Sequence, residues 1–201
     1  KEVRIRIVSV SSTQQITSAM KMVSASKLRR AQNAIIKLRP YANKLNELLG
    51  NISAANNDEG DNVFFKDRTV NNVLIIVIAS NRGLCGAFNA NVIKEANNLI
   101  HNTYADQFAK GNVSLMTFGR RVSEYYTKRK YKIYESHNDI FDKLNFETLS
   151  PIAQQVLDNF RTGKFDKIEL VYNQFKNAAV QILTNEPFLP VKANKGSNKK
   201  T

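Results

Sequence analysis

Residues 80 to 87 read Ser80-Asn81-Arg82-Gly83-Leu84-Cys85-Gly86-Ala87, the stretch where residue types and spacing most suggest chemistry. It follows an apolar, β-branched run and precedes a helical pattern, the position at which glycine-rich turns hold phosphate against a helix amino-terminus. The spacing argues against that use. A dinucleotide turn needs three glycines at one- and two-residue gaps, and a nucleotide phosphate loop needs Gly-Lys followed by Ser or Thr; Gly83 and Gly86 stand without such a lysine. A tight strand-to-helix turn, with Arg82 free to reach a protein partner, fits better. Cys85 at the head of a helix would make an activated thiol, yet no base is supplied nearby: His101 is expected inside the following helix and His137 in a loop after the third strand. A buried or half-buried structural thiol is the expectation for Cys85. One cysteine excludes an internal disulfide and points to a reducing compartment, and two distant histidines exclude a zinc ligand set. No catalytic, cofactor-binding or metal-binding residue is expected.

The elements that position this turn follow from the apolar pattern. Val73 to Ala79 is a continuous strand pattern of the kind buried on both faces, and Phe88, Val92, Ala96, Leu99 and Ile100 recur at helical spacing up to Gly111. Strands are predicted at Val113 to Phe118, Tyr131 to Glu135 and Lys167 to Tyr172, with a short basic helix from Arg120 to Lys130 that buries Val122, Tyr125 and Tyr126. Ser150-Pro151 reads as the start of a helix that buries Ile152, Val156 and Phe160 and ends at Gly163. Asn173 to Asn177 is too short for a crossover, so Ala178 to Leu183 should return antiparallel, with Pro187 and Pro190 ending regular structure. Residues 70–190 are thus expected to form an α/β domain, Rossmann-like, with a mixed, mainly parallel sheet. Polar, turn-forming residues from Asn56 to Thr69 read as a linker.

Ahead of that domain, residues 1–57 carry no glycine before Gly50 and read as one long coiled-coil helix, which at 1.5 Å per residue would reach about 75–80 Å and project from the domain. Leu28, Ala31, Ile35, Leu38, Ala42, Leu45, Leu49 and Ile52 form a three-four seam. Before it the stripe slips sideways among small hydroxyl residues, including Ser9, Ser11, Ser12, Thr13, Thr17, Ser18, Ser24 and Ser26, giving a thin rod able to turn in a close sleeve. Pro40 should bend the helix without stopping it.

Charge is concentrated outside the domain. Of the net +13, residues 1–50 carry +8 and residues 192–201 carry +4, the latter expected as a flexible basic tail from 191 to 201, which leaves the middle at +1. Lys27, Arg29, Arg30, Lys37, Arg39 and Lys44 would suit a basic coiled coil bound to nucleic acid, but Tyr41 is the lone aromatic before residue 64, so stacking groups are missing. The cluster of Lys128, Arg129, Lys130 and Lys132 beside Tyr125 reads equally as a surface helix or a docking site. No apolar run approaches the roughly 20 residues of a membrane span.

Two long motifs now carry a resemblance. The run IRIVSVSSTQQITSAMKMVSASKLRRAQ from Ile5 to Gln32, followed by Arg39-Pro40-Tyr41-Ala42, and the later SNRGLCGAFN from Ser80 to Asn89, resemble the gamma subunits of F-type ATP synthases in the same order. The resemblance implies a non-catalytic rotor shaft. Its rotation would couple proton flow through a membrane ring to three catalytic sites on a surrounding ring of catalytic and non-catalytic subunits. It further implies a small companion stalk subunit as partner, no nucleic acid, and a peripheral location on the cytoplasmic face of a bacterial inner membrane rather than an organellar one. Met20, Lys21, Ser24, Lys27 and Arg82 become contact candidates for acidic loops of the catalytic ring, and Tyr41 and Glu47 for the membrane ring or companion subunit. Gamma subunits end in a second long helix wound on the first; no such helix follows Pro190 here, and the seam is expected to lack its natural partner. A nucleotide-binding module built on the Ser80–Ala87 turn, or a basic coiled-coil nucleic-acid binder, are the alternatives.

Overall fold

The computed structural model describes residues 1–55 and 62–191, with the side chains of 52–55 left aside; part of the expected linker, Ile52 of the seam, and all but the first residue of the expected basic tail fall outside the described residues. The chain divides into two compact units, 1–54 and 55–201.

The first unit is α1, Glu2–Ala55, an unbroken helix that continues through Pro40. A proline there gives up one amide bond, and the strong helix formers on either side carry the helix past it. Its apolar residues are largely open: Val3, Ile7, Val10, Ile16, Met22 and Leu38 are each more than three-fifths exposed. Two of the hydroxyls among them are folded back on the rod. Thr13 Oγ1 donates to the Ser9 carbonyl at 2.9 Å and Thr17 Oγ1 to the Thr13 carbonyl at 2.7 Å, which satisfies them without a partner molecule.

The second unit is a three-layer α/β domain. Its five strands, β1 Val73–Ile78, β2 Val113–Phe118, β3 Ile133–His137, β4 Lys167–Phe175 and β5 Gln181–Leu189, form one sheet in the order β3-β2-β1-β4-β5. β1 pairs in parallel with β2 and β4, β2 in parallel with β3, and β5 runs antiparallel to β4, so the sheet is mixed and mainly parallel. The continuous apolar run of β1 has the reason expected of it: Val73, Ile75 and Val77 face one core and Leu74 and Ile76 the other. On the first face α2, Phe88–Asn98, and α4, Arg120–Lys128, supply Val92, Ala96, Val122 and Tyr126. On the second α5, Phe146–Arg161, supplies Val156 and Phe160. Burying Val92, Val122, Val156 or Phe160 contributes about 1.5–3 kcal/mol each relative to exposure.

Four expectations are corrected. The helix predicted to run unbroken from Phe88 toward Gly111 ends at Asn98, passes through a wider π-type turn at Leu99–Thr103, and resumes as α3, Ala105–Ala109. Val92, Ala96, Leu99 and Ile100 share one buried face at i, i+4, i+7 and i+8, and the wider turn closes beyond them through the Tyr104 amide and the Leu99 carbonyl at 2.8 Å. α5 starts not at Ser150 but at Phe146, because Asn145 and Thr148 form a reciprocal capping box; Pro151 then sits inside the helix. β3 begins two residues later than expected and extends to His137, which therefore lies in a strand and not in a loop. β5 starts later, at Gln181, and runs through Pro187, which sits opposite Glu169 beside a shift in register. An edge strand tolerates proline because one of its two hydrogen-bonding sides faces no neighbour.

Candidate functional site

At the carboxyl ends of β1, β2 and β3 the chain gathers the Ser80–Ala87 turn, Gly119 and Asn138. Asparagine side chains hold them together. Asn81 donates through Nδ2 to the Asn138 carbonyl at 2.7 Å and accepts through Oδ1 from the Arg120 amide at 2.9 Å, so the turn after β1 caps the head of α4 and grips the loop after β3. The Ser80 carbonyl accepts from the Arg121 amide at 3.3 Å, adding a second bond to the same helix head. Asn89, the second residue of α2, reaches back: its Oδ1 accepts from the Ser80 amide and hydroxyl, both at 3.0 Å, and its Nδ2 donates to the Arg82 carbonyl at 3.3 Å.

This wiring bears on the phosphate reading. The space a phosphate oxygen would need beside the Ser80 amide is taken by the Asn89 amide oxygen. The turn is instead built to present side chains outward. Leu84, at φ 59° in the left-handed region, is 98% exposed, and Arg82 is exposed beside it. A non-glycine residue held at positive φ with its apolar side chain in solvent gains nothing from the fold for that strain.

Cys85 is exposed, which corrects the expectation of a buried or half-buried thiol. It lies on the outer side of the turn, where Asn89 Nδ2 donates to its Sγ at 3.2 Å and the Arg82 carbonyl stands 3.8 Å away. Neither histidine contacts it: His101 Nε2 is 2.9 Å from the Tyr131 hydroxyl, and His137 packs on Phe118 with Nε2 3.7 Å from Glu135. Among the described residues no group of three or more His, Cys, Asp or Glu side chains could hold a metal ion.

On α1, Met20, Ser24 and Lys27 follow the i, i+4, i+7 spacing of one helix face, with Lys21 on its flank, and all four are exposed. Among the described residues neither Lys21 nor Lys27 forms an ion pair. Tyr41 is 65% exposed, and Glu47 is held by Lys44 at 2.8 Å on the surface. Tyr41 and Glu47 are six residues apart and so point about 120° away from each other around the helix. Arg82 belongs to the other unit.

Sequence reasoning missed the asparagines. Asn81, Asn89 and Asn138 carry no pattern by themselves, and only the parallel sheet brings positions 57 residues apart into contact. Gly119 had a faint signal, as a glycine between a strand and a helix. The basic cluster resolves in part: the Arg129 guanidinium stacks 3.8 Å above the Tyr125 ring, and Lys132 Nζ donates to the Gly111 carbonyl at 3.1 Å.

Comparison with known proteins gives a consistent result. The ATP synthase family model matches residues 1–201. The chain is 48% identical over 192 residues to the ATP synthase gamma chain of Cytophaga hutchinsonii, a match covering 96% of this chain and 65% of that one. It is 51% identical over 191 residues to that of Flavobacterium johnsoniae, covering 95% and 65%. The gamma chain of Chlorobaculum tepidum is 43% identical over 199 residues, with 99% and 68% covered. The chain thus spans about two thirds of the length of these relatives. Among solved structures, the central stalk and c-ring of the Tetrahymena thermophila mitochondrial ATP synthase aligns with a TM-score of 0.66 at 28% identity, covering 87% of this chain and 72% of that one. No helix among the described residues is long and apolar enough to cross a membrane. With a long helix ahead of a mixed, mainly parallel sheet, and with these matches, the chain belongs to the ATP synthase gamma-chain family.

Proposed function

We propose that this chain is the shaft and foot of the central stalk in a rotary ATP synthase, a subunit without chemistry of its own whose turning couples proton flow through a membrane ring to ATP synthesis or hydrolysis on a surrounding catalytic ring. The observation that carries the reading is the match of residues 1–201 to the ATP synthase family model together with the alignment of 87% of the chain to a solved central stalk. The exposed apolar and hydroxyl-bearing surface of α1 suits a rod enclosed by other subunits. Its partners are then the catalytic and non-catalytic ring subunits, a small companion stalk subunit, the membrane rotor ring and a carboxyl-terminal helix of its own kind. The location is the cytoplasmic face of a bacterial inner membrane. Co-expression with the catalytic-ring subunits tests it. A stable complex is expected, with no nucleotide bound by the chain alone in calorimetry; micromolar nucleotide affinity without assembly would instead favour a nucleotide-binding module.

Within this reading Met20, Lys21, Ser24 and Lys27 form a bearing that meets acidic loops of the catalytic ring, Arg82 meets the ring from the foot, and Tyr41 and Glu47 meet the companion subunit or membrane ring. A bearing must attract without latching. Exposed lysine–carboxylate pairs contribute about 0–1 kcal/mol each and weaken with salt, so they guide acidic loops at successive angles and release them. Lys21→Glu in the assembled enzyme should slow coupled ATP synthesis by about fivefold at low ionic strength, while Lys21→Ala changes it less than twofold, since one pair is worth at most about 1 kcal/mol and reversal turns it into repulsion. Equal, parental rates for both variants would make Lys21 an ordinary solvated residue.

A further inference from the structure

Tyr134 on β3 has an arrangement unlike that of the other tyrosines. Its hydroxyl oxygen receives three N–H donors: Asn159 Nδ2 at 3.0 Å, Gln155 Nε2 at 3.1 Å, and the Lys164 ammonium at 3.3 Å. The Lys164 nitrogen also stands 4.3 Å from the ring centroid, and Phe165 meets the ring edge-on at 5.5 Å. A neutral phenol must give up one of its oxygen's positions to its own proton, whereas a phenolate is acceptor-only and takes three donors readily. No described residue accepts from this hydroxyl. The cradle therefore matches the anion better than the acid.

Two side chains of α5 and one from the turn after it build the cradle, and Asn145 capping fixes the start of that helix. Lys164 is the charged group at the oxygen. Asp158, on the same helix, is drawn away by Arg161 at 2.9 Å and by Gln154 at 3.3 Å. The ring is half-buried, with Gln155 and Lys164 exposed at its rim, so reagents reach the oxygen from solvent.

We infer that Tyr134 is a preactivated phenol, a covalent modification site for acyl and sulfonyl donors, its oxyanion held by Asn159, Gln155 and Lys164. The reaction needs no other reagent. Solvent base takes the phenol proton, the phenolate oxygen attacks the sulfonyl sulfur, the S–O bond forms, and the leaving group departs with its electron pair, as fluoride from an arylsulfonyl fluoride. Burial opposes ionisation, but the three donors and the ammonium charge outweigh it and hold the hydroxyl below the ordinary tyrosine value. The contrast is with Tyr131, Tyr104 and Tyr126, which burial pushes upward.

The test is labelling of the full chain with an arylsulfonyl fluoride at pH 8, read by peptide mass spectrometry. Tyr41, 65% exposed and outside any such cradle, is the internal reference. Tyr134 should be modified at least tenfold faster than Tyr41 despite being less accessible. Lys164→Met should lower the Tyr134 rate by about tenfold and move the pH–rate profile upward, with Tyr41 unchanged and circular dichroism showing the fold intact. A Tyr134 rate at or below that of Tyr41, attachment of the label to Lys164 instead, or a pH–rate profile insensitive to Lys164→Met would each overturn the assignment.

Discussion

Replacing Gly119 by alanine is expected to destabilise the domain by about 3–5 kcal/mol. Gly119 stands at φ 108° and ψ 138°, a backbone region that side chains rarely enter. A Cβ built there would overlap the Ala79 carbonyl oxygen and come within 2.9 Å of the Ala79 carbonyl carbon and 3.2 Å of that of Ser80. Those atoms belong to backbone at the end of the central strand, where Ala79 donates its amide to the Phe118 carbonyl at 2.9 Å, so they cannot move aside cheaply. The strain and the overlap each cost about 1–3 kcal/mol, and the head of α4 with its Asn81 cap is displaced as well. Chemical denaturation should show the midpoint fall with little change in slope. Gly86, also at positive φ but with open space around it, provides the control: Gly86→Ala pays the backbone term alone and should cost about 1–2 kcal/mol. Equal losses at the two positions would mean that the contact with Ala79 is not what limits residue 119.

Alkaline conditions should unfold the domain steeply. Tyr104 is buried and donates its hydroxyl to Glu169 at 2.7 Å, with Lys167 3.9 Å from the same carboxylate oxygen; burial first, then the hydrogen bond and the charge of Glu169, push its pKa far up. Tyr126 is fully buried between α2 and α4, with its hydroxyl 3.2 Å from Asn97 Oδ1, and burial followed by the neighbouring Tyr125 and Tyr131 raises it likewise. The folded state thus keeps two protons that the unfolded chain releases above pH 10. The unfolded state binds fewer protons there, so stability is whole below pH 10 and falls as pH rises beyond it, by about 1.4 kcal/mol per pH unit for each group. Two groups acting together remove about 5–6 kcal/mol between pH 10 and 12, comparable with the total stability of a domain. Tyr172, pushed up to about 12 by partial burial and by Glu186, adds a smaller, solvent-screened share. Absorbance at 295 nm should show two of the seven tyrosines ionising only as circular dichroism is lost. Tyr126→Phe should halve the slope of stability against pH above 10; an unchanged slope would place its titration elsewhere.

The amino-acid sequence determined the fold class, because each of its main signals is local. β1 had to be a central strand: six consecutive apolar residues satisfy a sheet covered on both faces, and both cores claim them alternately. The long helix of α1 followed from its three-four apolar seam and the absence of glycine before Gly50, and the return of β5 from a connection too short to cross the sheet. The family was legible from two motifs whose residues stand in the same order as in gamma chains. Element ends were decided elsewhere. Asn145 outcompeted Ser150 as a cap because its side chain and that of Thr148 bond each other's backbone, a pairing that Ser150 could not match. Pro187 stayed in a strand because only the finished sheet makes β5 an edge. The exposure of Cys85 and Leu84, the three asparagines that tie the turn to α4 and to the loop after β3, and the donors around Tyr134 all depend on contacts across many residues of sequence. A polar side chain reveals nothing about its partner until the backbone has been folded around it, since hydrogen bonds are directional and short-ranged while the apolar pattern that drives collapse is neither.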